Sequence, residues 1–180
     1  MYIPTGSELL DPIKILNKLE LREGMKIANL GCGTSGHFLF PSAKMVGDAG
    51  TVYAVDILKS ALSSIESKAK MQNFSNVITV WSDIEVYGGA KIISDESCDA
   101  VYLINLHAKP EMLKEALRIL KKNGKLLIVD WNATATPFGP ATKDRVSAEE
   151  IKKRLAGFSV ALDMEFEAGQ YHWGLIYKKN

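Results

Sequence analysis

The segment that decides the fold runs from Lys26 to Gly36 and reads KIANLGCGTSG. Its first five residues predict a short buried strand, and Gly31, Gly33 and Gly36 follow at the spacing G-x-G-x-x-G. Because glycine has no Cβ, the backbone can turn tightly there and a ligand can lie against the main chain, near the amide groups of a following helix. The segment therefore predicts a strand, a ligand-binding loop and a helix in succession.

An acidic residue follows the next strand-like run, where nucleoside-binding loops of this kind have their acidic partner. Asp56 lies 23 residues beyond Gly33 and ends the next strand-like run, Thr51–Val55. A carboxylate there can accept hydrogen bonds from both hydroxyls of a ribose. Dinucleotides and S-adenosylmethionine both present an adenosine, so the motif leaves the two cofactors open. A structural alternative is that the glycines form only a tight turn and Asp56 caps the next helix.

Strand-like and helix-like runs alternate along the chain, with residues 81–97 predicted as a loop. The predicted helices are Asp11–Leu19, 38–47, 59–72, a run from Pro110 that stops at Gly124, and 148–156. The predicted strands are Lys26–Leu30, Thr51–Val55, Val77–Val80, Ala100–Ile104, Lys125–Val129, 160–167 and 171–178. Such alternation is typical of a parallel sheet with right-handed crossovers. We expect one α/β domain over residues 1–180, with a three-layer, Rossmann-like, seven-stranded and mostly parallel sheet and a C-terminal antiparallel hairpin.

The composition is that of a globular protein, with 47% hydrophobic and 24% charged residues among 180. A net charge of +1 predicts no strong attraction to nucleic acid or membranes. Cys32 and Cys98 give no disulfide framework and are expected to be reduced thiols. The start, MYIPTGSELLDP, lacks the features of a signal peptide, and no apolar run approaches the roughly 18 residues of a membrane span. We therefore expect a cytoplasmic protein with no membrane partner, and no metal-ligand spacing is present.

Five segments together carry a family resemblance. The string IANLGCGTSGHF, with GDAGTVYAVDI, NVITVWSDIE, CDAVYLINLH and LKKNGKLLIVDW, resembles the seven-stranded class I S-adenosylmethionine-dependent methyltransferases. The likeness covers about Gly24 to Asp130, and it looks closest to the small-molecule branch with ubiquinone/menaquinone and arsenite methyltransferase-like proteins. The resemblance implies an enzyme that transfers the methyl group of S-adenosylmethionine directly, in line, to a small-molecule acceptor. Nucleic acid or protein as acceptor, and the oligomeric state, remain open.

The resemblance also implies the residues of the cofactor site. The glycine loop lies under the methionine and ribose, Asp56 holds the ribose hydroxyls, and Asp83 accepts from the adenine amino group. The implied cofactor-binding residues are Asn29, Gly31, Cys32, Gly33, Gly36, Asp56, Ile57, Ser82, Asp83, Ile84 and Asn105. Asn29 departs from the pattern, because such proteins usually carry an acidic residue there. Asparagine supplies no negative charge for the cofactor's ammonium group.

Asn105 and His107 are the predicted catalytic residues, since they follow the fourth parallel strand. Methyl transfer from a sulfonium needs no metal, and it needs a base only if the acceptor must lose a proton. His107 is the first candidate for base or acceptor contact, with a local hydrogen bond as its structural alternative. His172 is a second candidate, with aromatic packing as its alternative. The segment TATPFGPATKDRV, residues 134–146, is a candidate loop over the acceptor.

Two other functions compete with methyl transfer. An oxidoreductase that uses a nicotinamide cofactor would share the glycine motif, but the chain has no second domain to bring a substrate to the nicotinamide. A catalytically inactive, methyltransferase-like binding module or partner-dependent subunit is favoured by Asn29 and by the small size. Enzymes that methylate amino groups of nucleic-acid bases are disfavoured, because no Asn/Asp-Pro-Pro-aromatic string follows the fourth strand.

Overall fold

The computed structural model describes residues 9–180, so the expectation drawn from the first residues of the chain lies largely outside it. Helices α1 to α5 span Pro12–Leu16, Leu39–Val46, Lys59–Met71, Pro110–Ile119 and Ala148–Leu155. Strands β1 to β7 span Lys26–Leu30, Thr51–Asp56, Val77–Trp81, Cys98–Ile104, Leu120–Trp131, Val160–Gly169 and His172–Lys179. Within the described part, no helix is long and apolar enough to cross a bilayer.

The strands form one seven-stranded sheet in the order β3-β2-β1-β4-β5-β7-β6. Strands β1 to β5 pair in parallel, and β7 pairs antiparallel with both β5 and β6. The predicted parallel sheet with a terminal antiparallel hairpin is therefore confirmed. The strand order reverses between β1 and β4, and in such sheets ligands bind in the crevice beyond the carboxyl ends at that point.

Helices cover both faces of the sheet, which confirms the three layers. Apolar side chains of α4 and α5 form one buried cluster with alternate strand residues such as Leu126 and Ile128. Side chains of α1, α2 and α3 form a second cluster with Leu127 and Val129, on the opposite face. Burial on both faces explains why the central strands are continuous apolar runs.

Polar side chains cap the first turns of two helices. The side chain of Asp11 accepts from the backbone amide of Lys14 at 3.1 Å, and α1 continues as a 3-10 turn over Asn17–Leu19. Ser147 accepts from the amide of Glu150 at 3.2 Å. The carboxylate of Glu150 pairs with Arg154 rather than closing a reciprocal capping box.

The predicted boundary between α4 and β5 is wrong by five residues. Helix α4 ends at Ile119, and the chain turns directly into β5, whose first residue, Leu120, pairs with Cys98. Leu120 is fully buried, so the apolar periodicity of the helix continues into the strand and hides the boundary. The left-handed backbone of Asn123, with φ of 63°, lies in the irregular part of β5 between the pairs Cys98–Leu120 and Ala100–Lys125.

A buried ion pair fixes the long loop of residues 82–97 to α4. The carboxylate of Glu115 accepts from the amides of Gly88 at 2.6 Å and Ala90 at 3.0 Å, and from two nitrogens of Arg118 at 2.9 and 2.7 Å. Burial by itself raises the pKa of Glu115, but these hydrogen bonds outweigh it and lower the pKa below its usual value. The loop that begins with Ser82 is thus held in one place beside the carboxyl edge.

Candidate functional site

The glycine loop has the backbone that its sequence predicts. Gly31, Gly33 and Gly36 have φ values of 66°, 61° and 71°, in the left-handed region that side chains disfavour. A Cβ on Gly31 would lie 2.6 Å from the side chain of Leu106, and one on Gly36 would enter the ring of Phe40. Two of the three glycines are therefore required by close packing as well as by the turn.

Asp56 joins the end of β2 to this loop. Its side chain is buried, with Oδ2 accepting from the amide of Gly33 and Oδ1 from the amide of Leu58, both at 2.9 Å. The second bond forms an Asx turn just before α3. Leu58, the N-cap residue of α3, has no side-chain cap, so the structure does not support the capping alternative. Each carboxylate oxygen can accept more than one hydrogen bond, which leaves acceptor capacity for ligand hydroxyls.

A cavity of about 310 Å³ opens beside Asp56 and brings together six of the predicted cofactor-binding residues. Its walls are formed by Gly31, Asp56, Ile57, Ser82, Asp83, Ile84, Glu85, Leu106 and Met112. The hydroxyl of Ser82 is buried and has no hydrogen-bond partner among the described residues. Asp83 accepts from the amide of Glu85 at 2.9 Å, an arrangement that fixes its carboxylate. Glu85 and Met112 were not predicted, because neither belongs to a recognisable motif.

A second, small cavity of about 30 Å³ adjoins the glycine loop. It is lined by Asn29, Gly31, Cys32, Ser35, His37, Phe38 and Ile104, so Gly31 borders both cavities. Asn29 is buried there, beside the glycine loop. Burial, reinforced by the carboxylate of Asp56, raises the pKa of Cys32 to about 12, which makes its thiol a poor nucleophile. Gly33 and Gly36 shape the loop without lining either cavity.

A third cavity, of about 580 Å³, contains both predicted catalytic residues. It is lined by Asn105, Leu106, His107, Lys109, Asp130, Trp131, Pro140 and Asp144. Leu106 borders this cavity and the 310 Å³ cavity, so its side chain forms the wall between them. Asn105 and His107 both have left-handed backbones, with φ of 57° and 52°, and strain of this kind concentrates at functional sites.

Two side chains in this third cavity differ in their hydrogen bonding. The amide nitrogen and oxygen of Asn105 are both buried and without a partner among the described residues. The carboxylate of Asp130 accepts from the amide of His107 at 2.7 Å and from that of Trp131 at 2.8 Å. The Asp130 side chain thus holds the strained turn over 105–107 in place.

Residues 132–146 form a loop beside the same cavity, organised by one guanidinium group. Arg145 donates to the carbonyls of Asn132 at 2.9 Å, Thr134 at 2.6 Å and Pro140 at 3.0 Å. The same group lies 5.1 Å above the ring of Trp131. The loop predicted to cover the acceptor therefore does reach the cavity wall, at Pro140 and Asp144.

His172 does not line the 580 Å³ cavity; it packs against Trp131, which does. Its ring is buried and stacks on Trp131 with centroids 4.3 Å apart. Burial, aided by the positive charge of Arg145, lowers the pKa of His172 to about 4, so the ring is neutral near pH 7. The packing alternative describes His172 better than a catalytic role.

We predict that Arg145→Lys loosens residues 132–146, because an ammonium group cannot form the planar fork that spans several carbonyls. Amide hydrogen exchange across this loop should rise at least several-fold, while exchange in the sheet stays as in the wild type. Arg22→Lys, at an exposed position, is the matched control. Unchanged exchange in the loop would show that Arg145 does not organise it.

These features define a class of protein. An open, mostly parallel sheet carries a glycine loop, an acidic partner at the next strand end and adjoining cavities at its switch point, as in Rossmann-like nucleoside-binding domains. Among residues 9–180, no three or more His, Cys, Asp or Glu side chains are arranged to hold a metal ion.

Comparison with known proteins narrows the class to one family. A family model described as a methyltransferase domain matches residues 21–173, and the chain belongs to this family. It is 30% identical over 126 residues to a ubiquinone/menaquinone biosynthesis C-methyltransferase of Bordetella parapertussis, covering 70% of this chain and 48% of that protein. It is 31% identical over 136 residues to a demethylmenaquinone methyltransferase of Lactobacillus johnsonii, covering 72% and 52%. The chain therefore spans about half the length of these relatives.

A solved structure covers nearly the whole chain. The SAM-dependent methyltransferase of Aquifex aeolicus superposes with a TM-score of 0.87 at 26% identity, over 99% of this chain and 94% of that one. The family assignment favours a methyltransferase over the nicotinamide-dependent oxidoreductase that shares the glycine motif.

Proposed function

We propose that this chain binds S-adenosylmethionine and transfers its methyl group to a small-molecule acceptor. The observation that carries the proposal is the position of Leu106, which lines both the 310 Å³ cavity, together with Gly31 and Asp56, and the 580 Å³ cavity. The 310 Å³ cavity lies on the side of the nucleoside-binding residues, and the 580 Å³ cavity lies on the other side of Leu106. A methyl donor and an acceptor can therefore occupy neighbouring spaces.

The residues present fit an adenosine. The unpartnered hydroxyl of Ser82 needs a hydrogen-bond partner, and Asp56 retains acceptor capacity for two ribose hydroxyls. Asp83 offers a carboxylate to the adenine amino group, and Ile57 and Ile84 supply apolar walls for the base. When bound, S-adenosylmethionine supplies a methyl group on a positively charged sulfur, which is a good leaving group.

The residues of this chain contribute to methyl transfer by positioning the two reactants and by excluding water from them. Residues fixed by backbone hydrogen bonds hold two reactants in one orientation, which is worth roughly 7–11 kcal/mol in favourable cases. Leu106 presents an apolar side chain where the two cavities meet, and its neighbours Asn105 and His107 line the acceptor side. We keep Asn105 and His107 as proposed acceptor contacts, with the unpartnered amide of Asn105 as the stronger of the two.

Two observations support a small acceptor. The 580 Å³ cavity is of the size that holds a small organic molecule. The two curated relatives are named for methylation in quinone biosynthesis. Asn29 remains the specific observation that favours an inactive binding module, because the cofactor's ammonium group meets no carboxylate at that position.

The test is to incubate the protein with methyl-labelled S-adenosylmethionine and separated cell fractions: metabolites below about 1 kDa, RNA, and protein. We expect label to appear in the metabolite fraction. Label in RNA or protein would contradict the small-molecule acceptor. Binding of the cofactor with no label in any fraction would favour the inactive module.

A further inference from the structure

We propose that the acceptor atom carries a proton and that the carboxylate of Asp130 receives it, so the substrates are uncharged compounds with a hydroxyl or amino group. This inference rests on the proposed methyl transfer. It assigns Asp130 a catalytic role, which the sequence alone did not predict, and it narrows the class of acceptor.

The position and hydrogen bonding of Asp130 support the role. It lies at the carboxyl end of β5 and on the wall of the 580 Å³ cavity, although only 4% of its surface is exposed. One backbone amide approaches each carboxylate oxygen, from His107 and from Trp131. Each oxygen therefore retains acceptor capacity, while the two amides fix the orientation of the group. Burial raises the pKa of Asp130, which makes it a stronger base than an exposed aspartate.

The charges around Asp130 favour an uncharged hydrogen-bond donor. Lys109 lines the same cavity, and its ammonium group is paired with Glu85 at 2.7 Å. The guanidinium of Arg145 is directed at backbone carbonyls. Asp144 adds a second carboxylate to the cavity wall, and the ring of His107 is exposed. An anionic acceptor would meet two carboxylates here, and the lysine that lines the cavity is already paired with a third carboxylate.

The amide of Asn105 completes the arrangement. Its nitrogen and oxygen are both buried and unpartnered among the described residues, and Asn105 lines the same cavity as Asp130. A buried amide group without a hydrogen-bond partner is destabilising unless a ligand or water pairs with it. A hydroxyl or amino group that donates to Asp130 can also bond to Asn105, which orients its lone pair.

Methyl transfer with loss of the proton breaks two bonds and forms two. The O–H or N–H bond of the acceptor breaks, and its proton moves to a carboxylate oxygen of Asp130. A lone pair of the acceptor oxygen or nitrogen forms the new bond to the methyl carbon, and sulfur keeps the electron pair of the S–CH₃ bond that breaks. The electron pair of the broken O–H or N–H bond stays on the acceptor atom. Asp130 then returns the proton to water when the product leaves.

The test compares two protic probes with counterparts in which methyl groups replace the O–H or N–H protons, and it adds one anionic probe. Phenol, anisole, aniline, N,N-dimethylaniline and benzoate are titrated by ligand-observed NMR into the wild-type chain saturated with S-adenosylhomocysteine. We expect phenol and aniline to bind at least about tenfold more tightly than their methylated counterparts, and benzoate to bind weakest. Equal affinity for capped and uncapped probes, preference for benzoate, or no binding of either protic probe would overturn the proposal.

Variants separate a proton acceptor from a structural group. Asp130→Asn should abolish the preference for the protic probes, and Asp130→Glu should restore part of it. Asp48→Asn, the same change at an exposed position on another loop, is the matched control. A preference that persists in folded Asp130→Asn would contradict the role, and the wild-type titration decides the question if this variant does not fold.

Failure of this inference and failure of the proposed function have different signatures. S-Adenosylhomocysteine affinity is measured on the same samples before the probes are added. Normal nucleoside binding with no protic preference removes only the role of Asp130. Absence of nucleoside binding contradicts the methyltransferase proposal itself.

Discussion

Replacing Asp56 with alanine should weaken the binding of S-adenosylhomocysteine by roughly 100-fold or more. Hydrogen bonds to a charged group contribute about 1.5–3 kcal/mol each, and we propose two to the ribose hydroxyls. The substitution also releases the amides of Gly33 and Leu58, which now bond to the carboxylate at 2.9 Å, so the glycine loop loses its anchor. Calorimetric titration measures the affinity.

Two further variants show which part of Asp56 matters. Asp56→Asn keeps the shape but loses the charge, and it should fall between the wild type and the alanine variant. Asp48→Ala makes the same change at an exposed position and should leave the affinity as it is. Unchanged affinity in a folded Asp56→Ala protein would mean that Asp56 only holds the glycine loop and the turn before α3.

Replacing Glu115 with alanine should lower the free energy of unfolding by about 3–5 kcal/mol, because it removes one partner of a buried ion pair. The guanidinium of Arg118 and the amides of Gly88 and Ala90 would lose their acceptor. Urea denaturation measures the change, with Glu111→Ala, an exposed position on the same helix, as control. A loss no larger than that of the control would contradict the role assigned to Glu115.

The pH dependence of this difference has a defined sign. The folded-state pKa of Glu115 lies below its ordinary value of 4.5, so its charge stabilises the fold at pH values above 4.5. That contribution is lost as the pH falls through the lowered pKa. The stability difference between the wild type and Glu115→Ala should therefore be full near neutral pH and shrink in acid. A difference that grows in acid would contradict this sign.

The sheet and its ligand edge could be predicted because local rules agree there. Three glycines in one loop need left-handed backbone, and Asp56 follows a strand of β-branched residues. These signals depend on residues close in sequence, so residue types and their spacing suffice to predict the strands and the ligand edge of the sheet. Neighbouring strands then bring Asp83 and Asn105 to the same edge by topology alone.

The remaining features depend on contacts between distant residues. Glu115 resembles any other polar residue of an amphipathic helix, and its burial follows from a loop 25 residues away. Met112 and His37 line cavities without belonging to a motif. The left-handed turn at Asn105 and His107 needs the carboxylate of Asp130 to hold it, a bond between residues 23 apart. The sequence misplaces the end of α4 because the buried Leu120 fits the apolar pattern of the helix as well as that of the strand.

Calorimetric titration of the wild-type chain with S-adenosylmethionine, S-adenosylhomocysteine and NAD in parallel tests the central claim most directly. The structure has a cavity beside Asp56, in which we propose that the adenosine binds, and a neighbouring cavity beyond Leu106. We predict micromolar binding of the two sulfur nucleosides and no measurable binding of NAD. Failure of both sulfur nucleosides to bind, or binding of NAD in their place, would contradict the account.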